Sequence, residues 1–215
     1  MLHVVADGIL PLRPLVRAIA RLKQAGVPTR VGLRVEYLEG VRERFDEREA
    51  DLMLSLAFAG DARHVAEPLA PIEMVLLAGR GHALAKAAKV ERAALAQHVE
   101  LVVEDSSRRR EAHTSPLALG CAQVFRLSDF HSKREALLEG AGVGWMPRHL
   151  VVDALREKRL ALVPFGGGEP PRLRAAPGPP PQPPARSRGE AARGARARRA
   201  ERRRAAPSWR RVEGA

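Results

Sequence analysis

The segment LHVVADGILPLRPLVRAIARLKQAGVPTRVGLRVEY, residues 2–37, decides the fold class of this 215-residue chain. It begins with the apolar run LHVVA, which is typical of a buried strand. A helix follows, ended by a glycine and a proline, and its apolar residues recur at the spacing of one face: Leu12, Leu15, Val16, Ile19 and Leu22. Residues 31–37 then alternate apolar and polar side chains, which predicts a second strand.

The alternation continues along the chain. LEGVRERFDEREA predicts a short charged helix, and ADLMLSL predicts another buried strand. Residues 1–56 therefore predict the order strand, helix, strand, helix, strand, which is typical of a parallel sheet covered by helices. A second pattern of this kind begins at Val99, with strands expected at 99–103 and 123–127. The predicted fold class is α/β.

The two patterns predict two lobes, each a mainly parallel sheet flanked by helices. We assign residues 1–78 to lobe I, 79–146 to lobe II and 147–168 to a return into lobe I. Residues 169–215 are assigned to a disordered Pro/Arg-rich tail. Eight of the 17 prolines lie within 171–215, and this segment has too few large apolar residues to offset the entropy of ordering it.

The basic charge of the chain belongs to this tail. The net charge is +12, and residues 171–215, with 13 Arg, 3 Glu and no Lys, carry +10 of it. One explanation is an arginine-rich arm for nucleic acid or anionic surfaces. The other is a non-native or frame-shifted end, because GC-rich codons supply Ala, Arg, Gly and Pro. The absence of interleaved aromatic residues favours the second explanation.

Residues 128–150, SDFHSKREALLEGAGVGWMPRHL, contain three glycines that suggest a phosphate-binding loop. Such loops run strand, glycine turn, helix, whereas here the predicted helix precedes the glycines. Ser132 and Glu135 have the spacing of a capping box, and Gly140 stands where a helix commonly ends. Gly142 and Gly144 would permit close helix–strand packing. The glycines are therefore predicted to be architectural, and no cofactor is expected.

The sequence contains no combination of residues that predicts catalysis or metal binding. Histidine–acid pairs at helical spacing, such as His149 with Asp153, lack a third ligand nearby. No serine lies in a nucleophile motif. Cys121 is the only cysteine, which excludes an intrachain disulfide. We therefore expect no enzyme activity and no metal site.

The compartment is predicted from the amino end and the hydropathy. The amino end lacks a basic segment followed by a continuous apolar run, so it is a poor signal peptide. No apolar run approaches membrane-spanning length. We expect a cytoplasmic protein with no membrane partner.

Several predicted strands are followed directly by a helix start, in DGIL, EYLEG, EDSSR and SDF. In parallel sheets such junctions lie at the edge where ligands bind. Helix-start amides and polar side chains there would suit a small anion, the side chains being Ser106, Ser107, Arg108 and Ser128. Helix capping would explain any one of these polar side chains alone. Their expected convergence at one edge favours the binding of an anion.

These segments together resemble the effector-binding domain of LysR-type transcriptional regulators over about residues 2–165. The resemblance rests on LHVVADGILP, on YLEG followed by ADLMLSL, and on VLLAGRGHALAKAAKV, which is similar to the family's HPLA segment. It continues with HVELVVEDSS, RLSDFHSKREALLEGAGVGWMPRHLV and RLALVPF. The order and spacing of these pieces carry the resemblance.

The resemblance implies a two-lobed fold like that of type 2 periplasmic binding proteins, with a small-molecule effector in the cleft between the lobes. A carboxylate or other small anion is expected as effector. In the intact protein it implies a homodimer or tetramer that binds DNA through an N-terminal winged helix-turn-helix, which this chain lacks. The cleft positions carried onto this chain are Asp7, Gly8, Ile9, Leu10, Tyr37, Leu38, Glu39, Ser106, Ser107, Arg108, Ser128, Asp129, Phe130, Trp145 and Met146.

The chain departs from the family pattern in two further places. Ala83 stands where the family has proline, and after Phe165 the Pro/Arg-rich tail replaces the expected final strand and helix. The leading hypothesis is the effector-sensing domain of a LysR-type regulator in truncated form. The alternative is the solute-binding protein of a transporter on the same fold, against which the missing signal segment argues.

Overall fold

The computed structural model describes residues 1–47, 49–56, 58, 64, 66–108, 117–166, 172–173 and 175–178. These residues form two β-sheets with helices beside them, and all of them lie within one unit that extends from Met1 to Pro181. Residues 109–116 and most of the predicted tail lie outside the described residues. No helix in the described ranges is long and apolar enough to cross a membrane.

The first sheet is built by the segment that opens the chain. Its strands β1 (Leu2–Asp7), β2 (Val31–Glu36) and β3 (Leu52–Leu56) are parallel, with β1 in the middle. Helix α1 (Leu12–Gln24) connects β1 to β2, and α2 (Glu39–Asp46) connects β2 to β3. The predicted order of strand, helix, strand, helix, strand is confirmed. Because β1 and β2 pair in register along their whole length, their carboxyl ends meet at one edge.

The second sheet has six strands, which are β4 (Ile72–Gly79), β5 (Val99–Val103), β6 (Gln123–Leu127), β7 (Val143–Pro147), β8 (Leu160–Leu162) and β9 (Arg172–Leu173). Their order is β6–β5–β7–β4–β8, and β9 also pairs with β4. Parallel pairing joins β5 to β6 and β7, whereas β4 is antiparallel to β7, β8 and β9. The second sheet is therefore mixed.

Three helices and two short turns complete the second lobe. The helices are α3 (Arg92–Leu95), α4 (Phe130–Leu138) and α5 (Val152–Arg156). The 3₁₀ turns cover Ala83–Ala85 and Arg148–Leu150. The helix predicted ahead of the three glycines is present as α4.

The predicted boundaries between the lobes need correction. β4 was assigned to lobe I and residues 147–168 to a return into lobe I, yet β4 pairs with β7 and β8 in the second sheet. β4 is buried on both faces, so its apolar sequence fits the core of either lobe. Its partner β7 lies far along the chain, and periodicity does not reveal such pairing.

The chain returns to the first lobe after β9. A further strand, β10 (Ala175–Gly178), pairs antiparallel with β3 and gives the first sheet the order β10–β3–β1–β2. The prediction of a disordered tail from residue 169 is therefore wrong for residues 172–173 and 175–178. These residues are ordered by backbone hydrogen bonds to β4 and β3. Amino-acid composition does not reveal such pairing.

Helix α4 begins one turn earlier than the capping-box spacing suggested. Asp129 is its N-cap, because its carboxylate accepts a hydrogen bond from the backbone N–H of Ser132 at 2.7 Å. At the other end Gly140 has a φ of 74°, the left-handed conformation expected after a helix. Side chains at Gly142 and Gly144 would meet the carbonyls of Val99 and Leu101 on β5. The architectural role of these glycines is confirmed.

Alternation along β4 and β7 separates two apolar clusters on the faces of the second sheet. Met74, Leu76 and Trp145 belong to the cluster that also contains Ile9 of the first lobe. Val75, Leu77 and Met146 belong to the cluster on the opposite face, with Leu101 and Leu137. One face of the second sheet therefore looks towards the first lobe.

Candidate functional site

A cavity of about 430 Å³ lies between the two sheets. It is bounded by the end of β1, the residues after β2, the end of β3, and then β4, β5, β6, α4, β7 and β9. We call it the interlobe cavity. Its volume is within the range of sites for small molecules.

Six of the residues that the sequence placed in the cleft line this cavity: Asp7, Ile9, Tyr37, Leu38, Phe130 and Trp145. They come from four separate segments, and the meeting of β1 and β2 at one edge brings the first four together. Leu38 has a φ of 54°, a backbone conformation that residues other than glycine adopt at an energetic cost. This strained residue marks the rim of the cavity.

Nine of the predicted residues do not line the cavity, and these are Gly8, Leu10, Glu39, Ser106, Ser107, Arg108, Ser128, Asp129 and Met146. Met146 follows Trp145 on β7, so alternation directs it into the core on the opposite face. Leu10 is buried in the core. Ser128 and Asp129 are used at the helix start, where the Ser128 hydroxyl donates to the Asp129 carboxylate at 2.8 Å.

Ser106 and Asp105 connect the two lobes at one side of the cavity. The backbone N–H of Tyr37 donates to the hydroxyl oxygen of Ser106 at 2.8 Å, and that hydroxyl donates to the Tyr37 carbonyl at 3.2 Å. The backbone N–H of Gly40 donates to Asp105 Oδ1 at 3.2 Å. A side chain at Gly40 would overlap Ser106, so the glycine is needed for this close approach. We call these contacts the interlobe clasp.

Arg108 extends the clasp along α2. Its backbone N–H donates to Glu43 Oε2 at 2.8 Å, and its guanidinium donates to Glu47 Oε1 at 3.0 Å. Both contacts are exposed, so solvent and salt weaken them. Arg108 therefore bonds to the facing lobe, whereas the sequence predicted that it would bind an anion.

An aromatic contact spans the lobes on another side of the cavity. The rings of Tyr37 and Phe130 are tilted at 60°, with their centres 6.0 Å apart. Burial raises the pKa of Tyr37, and the nearby charge of Asp129 raises it further. The Tyr37 phenol is therefore neutral at physiological pH and can donate or accept a hydrogen bond.

Asp7, at the end of β1, is the most deeply buried acid of the cavity, with 2% of its surface exposed. Oδ1 accepts from the backbone N–H of Ile9 at 3.0 Å. Oδ2 has no hydrogen-bond partner among the described residues. Burial raises the pKa of Asp7 to about 6, against the smaller opposing effects of the backbone amides of Ile9 and Leu38.

Lys133 faces the cavity from α4 and is only 5% exposed. Within the described ranges its ammonium has no hydrogen bond or ion pair, and it lies 5.9 Å from the centre of the Phe130 ring. Burial lowers the pKa of Lys133 to about 8, and the nearby Glu100 opposes that shift. Glu100 is itself buried in β5 and accepts from the backbone N–H of Leu119 at 3.0 and 3.1 Å.

The sequence reasoning missed Lys133 and Glu100, although both left a signal. Lys133 is three residues after Phe130 and four before Leu137, so it lies on the apolar face of α4. Glu100 interrupts the apolar strand VELVV. A charged side chain at a position that periodicity buries is itself a pointer to a site.

The arrangement is suited to binding. The cavity wall is mostly apolar, with buried charged groups on both lobes, and this is typical of sites that fix the orientation of a small ligand. The described residues contain no group of three or more histidine, cysteine or acidic side chains that could hold a metal ion.

The family model described as LysR substrate binding domain matches residues 1–186. The chain belongs to this family. The LysR substrate-binding domain assignment confirms the resemblance inferred from the sequence, and with it the two-lobed α/β fold. The match also extends over β9 and β10, which the sequence reasoning had placed in the tail.

A curated relative of this LysR domain is the probable HTH-type transcriptional regulator YhaJ of Escherichia coli strain K12, which is 26% identical over 165 residues. The match covers 75% of this chain and 55% of YhaJ. The chain thus spans about half the length of the curated relatives it matches. These matches favour a regulator over the solute-binding protein of a transporter.

Solved structures share the fold of this LysR domain. The CcmR regulatory domain of Synechocystis PCC6803, solved in complex with 2-PG, is 16% identical with a TM-score of 0.63, and the match covers 86% of this chain and 90% of that one. Oxidised OxyR is 21% identical with a TM-score of 0.63, covering 94% and 96%. The MetR regulatory domain of N. meningitidis is 10% identical with a TM-score of 0.66, covering 86% and 87%.

Proposed function

We propose that this LysR substrate-binding domain senses a small-molecule effector in the interlobe cavity and does not catalyse a reaction. The observation that carries the proposal is the cavity itself, a mostly apolar space of about 430 Å³ into which both lobes direct buried charged groups. The complex of the CcmR regulatory domain with 2-PG supports a small-molecule ligand for a domain of this fold.

In this proposal, effector binding is signalled by a change in how the two lobes are positioned relative to each other. The cavity wall includes residues of both sheets, and the interlobe clasp joins the same two lobes beside it. A ligand that contacts both walls favours the lobe arrangement in which both contacts form, and so shifts the population of arrangements. The proposed output is this shift.

In the intact protein we propose that the shift regulates transcription in the cytoplasm. YhaJ, which this chain matches over about half its length, is described as an HTH-type transcriptional regulator. DNA would be bound by a helix-turn-helix segment outside this domain. The effector would then alter how that segment is presented to DNA.

We further propose that intact copies associate as a homodimer or tetramer through α1. This helix contains no buried residue, and Val16 on its apolar face is 53% exposed. An apolar helix face in contact with water is typical of an interaction surface. Light scattering should show a mass above that of one chain, and Val16→Asp should reduce it, with Arg17→Asp as the control on the same helix.

A thermal-shift screen tests the sensing proposal. The domain is heated with a broad library of small polar metabolites, each over a range of concentrations. A ligand that binds only the folded domain raises the midpoint of unfolding, and the rise grows with ligand concentration. At least one compound is expected to do this. A complete absence of concentration-dependent stabilisation across the library contradicts the proposal.

A further inference from the structure

Two buried charged side chains, one from each lobe, face the interlobe cavity without an oppositely charged partner among the described residues. Asp7 ends β1 of the first sheet, and its Oδ2 accepts no hydrogen bond from the described residues. Lys133 lies on α4 beside the second sheet, and no described acceptor or acid bonds its ammonium. Asp7 is 2% exposed and Lys133 5% exposed.

Burying the charge of each of these side chains costs free energy when no ligand is bound. A buried charge loses its hydration, and for Asp7 the backbone amides of Ile9 and Leu38 offset only part of that loss. Burial accordingly shifts the pKa of each towards the neutral form, upwards for Asp7 and downwards for Lys133. Two unfavourable charges in one cavity are explained if a ligand supplies the missing partners.

Two other acids of the cavity wall, Glu100 and Asp105, are already engaged. Both carboxylate oxygens of Glu100 accept from the backbone N–H of Leu119. Asp105 Oδ1 accepts from the backbone N–H groups of Gly40 and Ser107. Neither acid is in ion-pair contact with Lys133 in the described structure. Glu104 and Arg126 also line the cavity, but Glu104 is only partly buried and Arg126 is exposed. Asp7 and Lys133 are therefore the buried charged groups left for a ligand.

We propose that the effector is a small zwitterion of the amino-acid type, with its carboxylate paired to Lys133 and its ammonium paired to Asp7. This inference rests on the sensing function proposed above and names the ligand class of the same cavity. The apolar wall would enclose the body of such a ligand, and it includes Leu56, Met74, Leu117 and Trp145.

A ligand with only one charge fits less well. A simple carboxylate would satisfy Lys133 but would leave the Asp7 carboxylate unpaired, beside the negative charge of Asp105. A simple amine would satisfy Asp7 and leave the Lys133 ammonium unpaired. A zwitterion satisfies both, and because the two groups belong to different lobes, one molecule would link the lobes.

Calorimetric titration near neutral pH tests the ligand class. The probes are the full set of protein L-amino acids, with 3-phenylpropanoate and 2-phenylethylamine as matched compounds that carry only the carboxylate or only the amine. We expect one or more amino acids with apolar side chains to bind. Each single-charge analogue should bind at least about tenfold more weakly than phenylalanine, because one charge-assisted bond is lost.

The variants Lys133→Met and Asp7→Asn should each weaken amino-acid binding by about tenfold or more. Lys86→Met, at an exposed lysine away from the cavity, should bind like the wild type. Thermal unfolding of each variant, run alongside, verifies that it is folded. Both cavity substitutions remove an unfavourable buried charge, so neither is expected to unfold the domain.

The outcomes separate this inference from the sensing function. If no amino acid binds, or if 3-phenylpropanoate binds as tightly as phenylalanine, the zwitterion inference is wrong. The same holds if Asp7→Asn binds amino acids like the wild type. In those cases another compound from the metabolite screen can still support the sensing function, which fails only if that screen also finds no ligand.

Discussion

The hydroxyl of Ser106 is bonded twice to the backbone of Tyr37, accepting from its N–H at 2.8 Å and donating to its carbonyl at 3.2 Å. The two residues belong to different lobes, 69 positions apart in the chain. Ser106 therefore acts as the centre of the interlobe clasp. The sequence had identified it as a ligand contact, whereas the structure uses it to hold the cavity walls together.

Ser106→Ala should loosen this clasp. The substitution removes both side-chain bonds and leaves the N–H of the partly buried Tyr37 without its acceptor, so a loss of about 1–2 kcal/mol in the free energy of unfolding is expected. Urea denaturation measures it. Ser128→Ala, at an exposed serine, should change stability by less than about 0.5 kcal/mol. Equal stability of Ser106→Ala and the wild type would contradict the role of the clasp.

Asp7→Asn should stabilise the empty domain at neutral pH. The pKa of Asp7 is raised from 3.8 to about 6 in the folded state, so the ionised form destabilises the fold. This penalty is absent below about pH 4 and grows as the pH rises to about 6, reaching on the order of 1–3 kcal/mol above it. Denaturation as a function of pH measures the difference between the variant and the wild type.

The control for this pH dependence is Asp153→Asn, at an exposed acid whose side chain is 76% accessible. Because its carboxylate is in contact with water, Asp153→Asn should not be more stable than the wild type at neutral pH. If Asp7→Asn shows no dependence on pH, the burial of an ionisable Asp7 in the cavity is refuted.

Lys133→Met should stabilise the empty domain as well. The pKa of Lys133 is lowered from 10.5 to about 8 in the folded state, so the charged form destabilises the fold below pH 8. The penalty is on the order of 3 kcal/mol at neutral pH and fades as the pH rises from about 8 to 10.5. Thermal unfolding at pH 7 should show a higher midpoint for Lys133→Met than for Lys86→Met. A lower midpoint would contradict this account of the site.

Gly144→Ala should destabilise the second sheet. A Cβ at Gly144 would lie 2.7 Å from the carbonyl oxygen of Leu101 and 2.9 Å from Cε of Lys133. The lysine end can move, but the carbonyl belongs to the paired strand β5 and cannot, so a loss of about 1–3 kcal/mol is expected. Gly81→Ala, which meets nothing within 4 Å, is the matched control and should be close to neutral. Equal thermal midpoints for the two variants would argue against close β5–β7 contact.

The sequence predicted the parts of the fold that depend on local pattern. The segment 2–37 shows the 3.6-residue and two-residue periods directly, and β1, α1 and β2 form where these periods place them. The position of β4 was mispredicted because pairing with β7 and β8 depends on residues far along the chain. β10 was missed because pairing with β3 makes it a strand, whereas its own composition does not predict one.

The site was predicted in part for the same reason. Asp7 and Tyr37 lie at strand ends that must share an edge of a parallel sheet, so local reasoning could place them together. Whether a residue of the second lobe faces the cavity depends on how the lobes meet. The bond of Ser106 to Tyr37 was therefore not foreseen, and Lys133 was overlooked.

The measurement that tests the central claim most directly is a calorimetric titration of three proteins with the ligand that stabilises the domain most. These are the wild type, Ala118→Trp and Ala93→Trp. Ala118 lines the interlobe cavity, so an indole there should fill the space, whereas Ala93 is exposed on α3. The account predicts binding by the wild type and Ala93→Trp and loss of binding by Ala118→Trp. Undiminished binding by a folded Ala118→Trp would contradict the claim that the effector lies between the lobes.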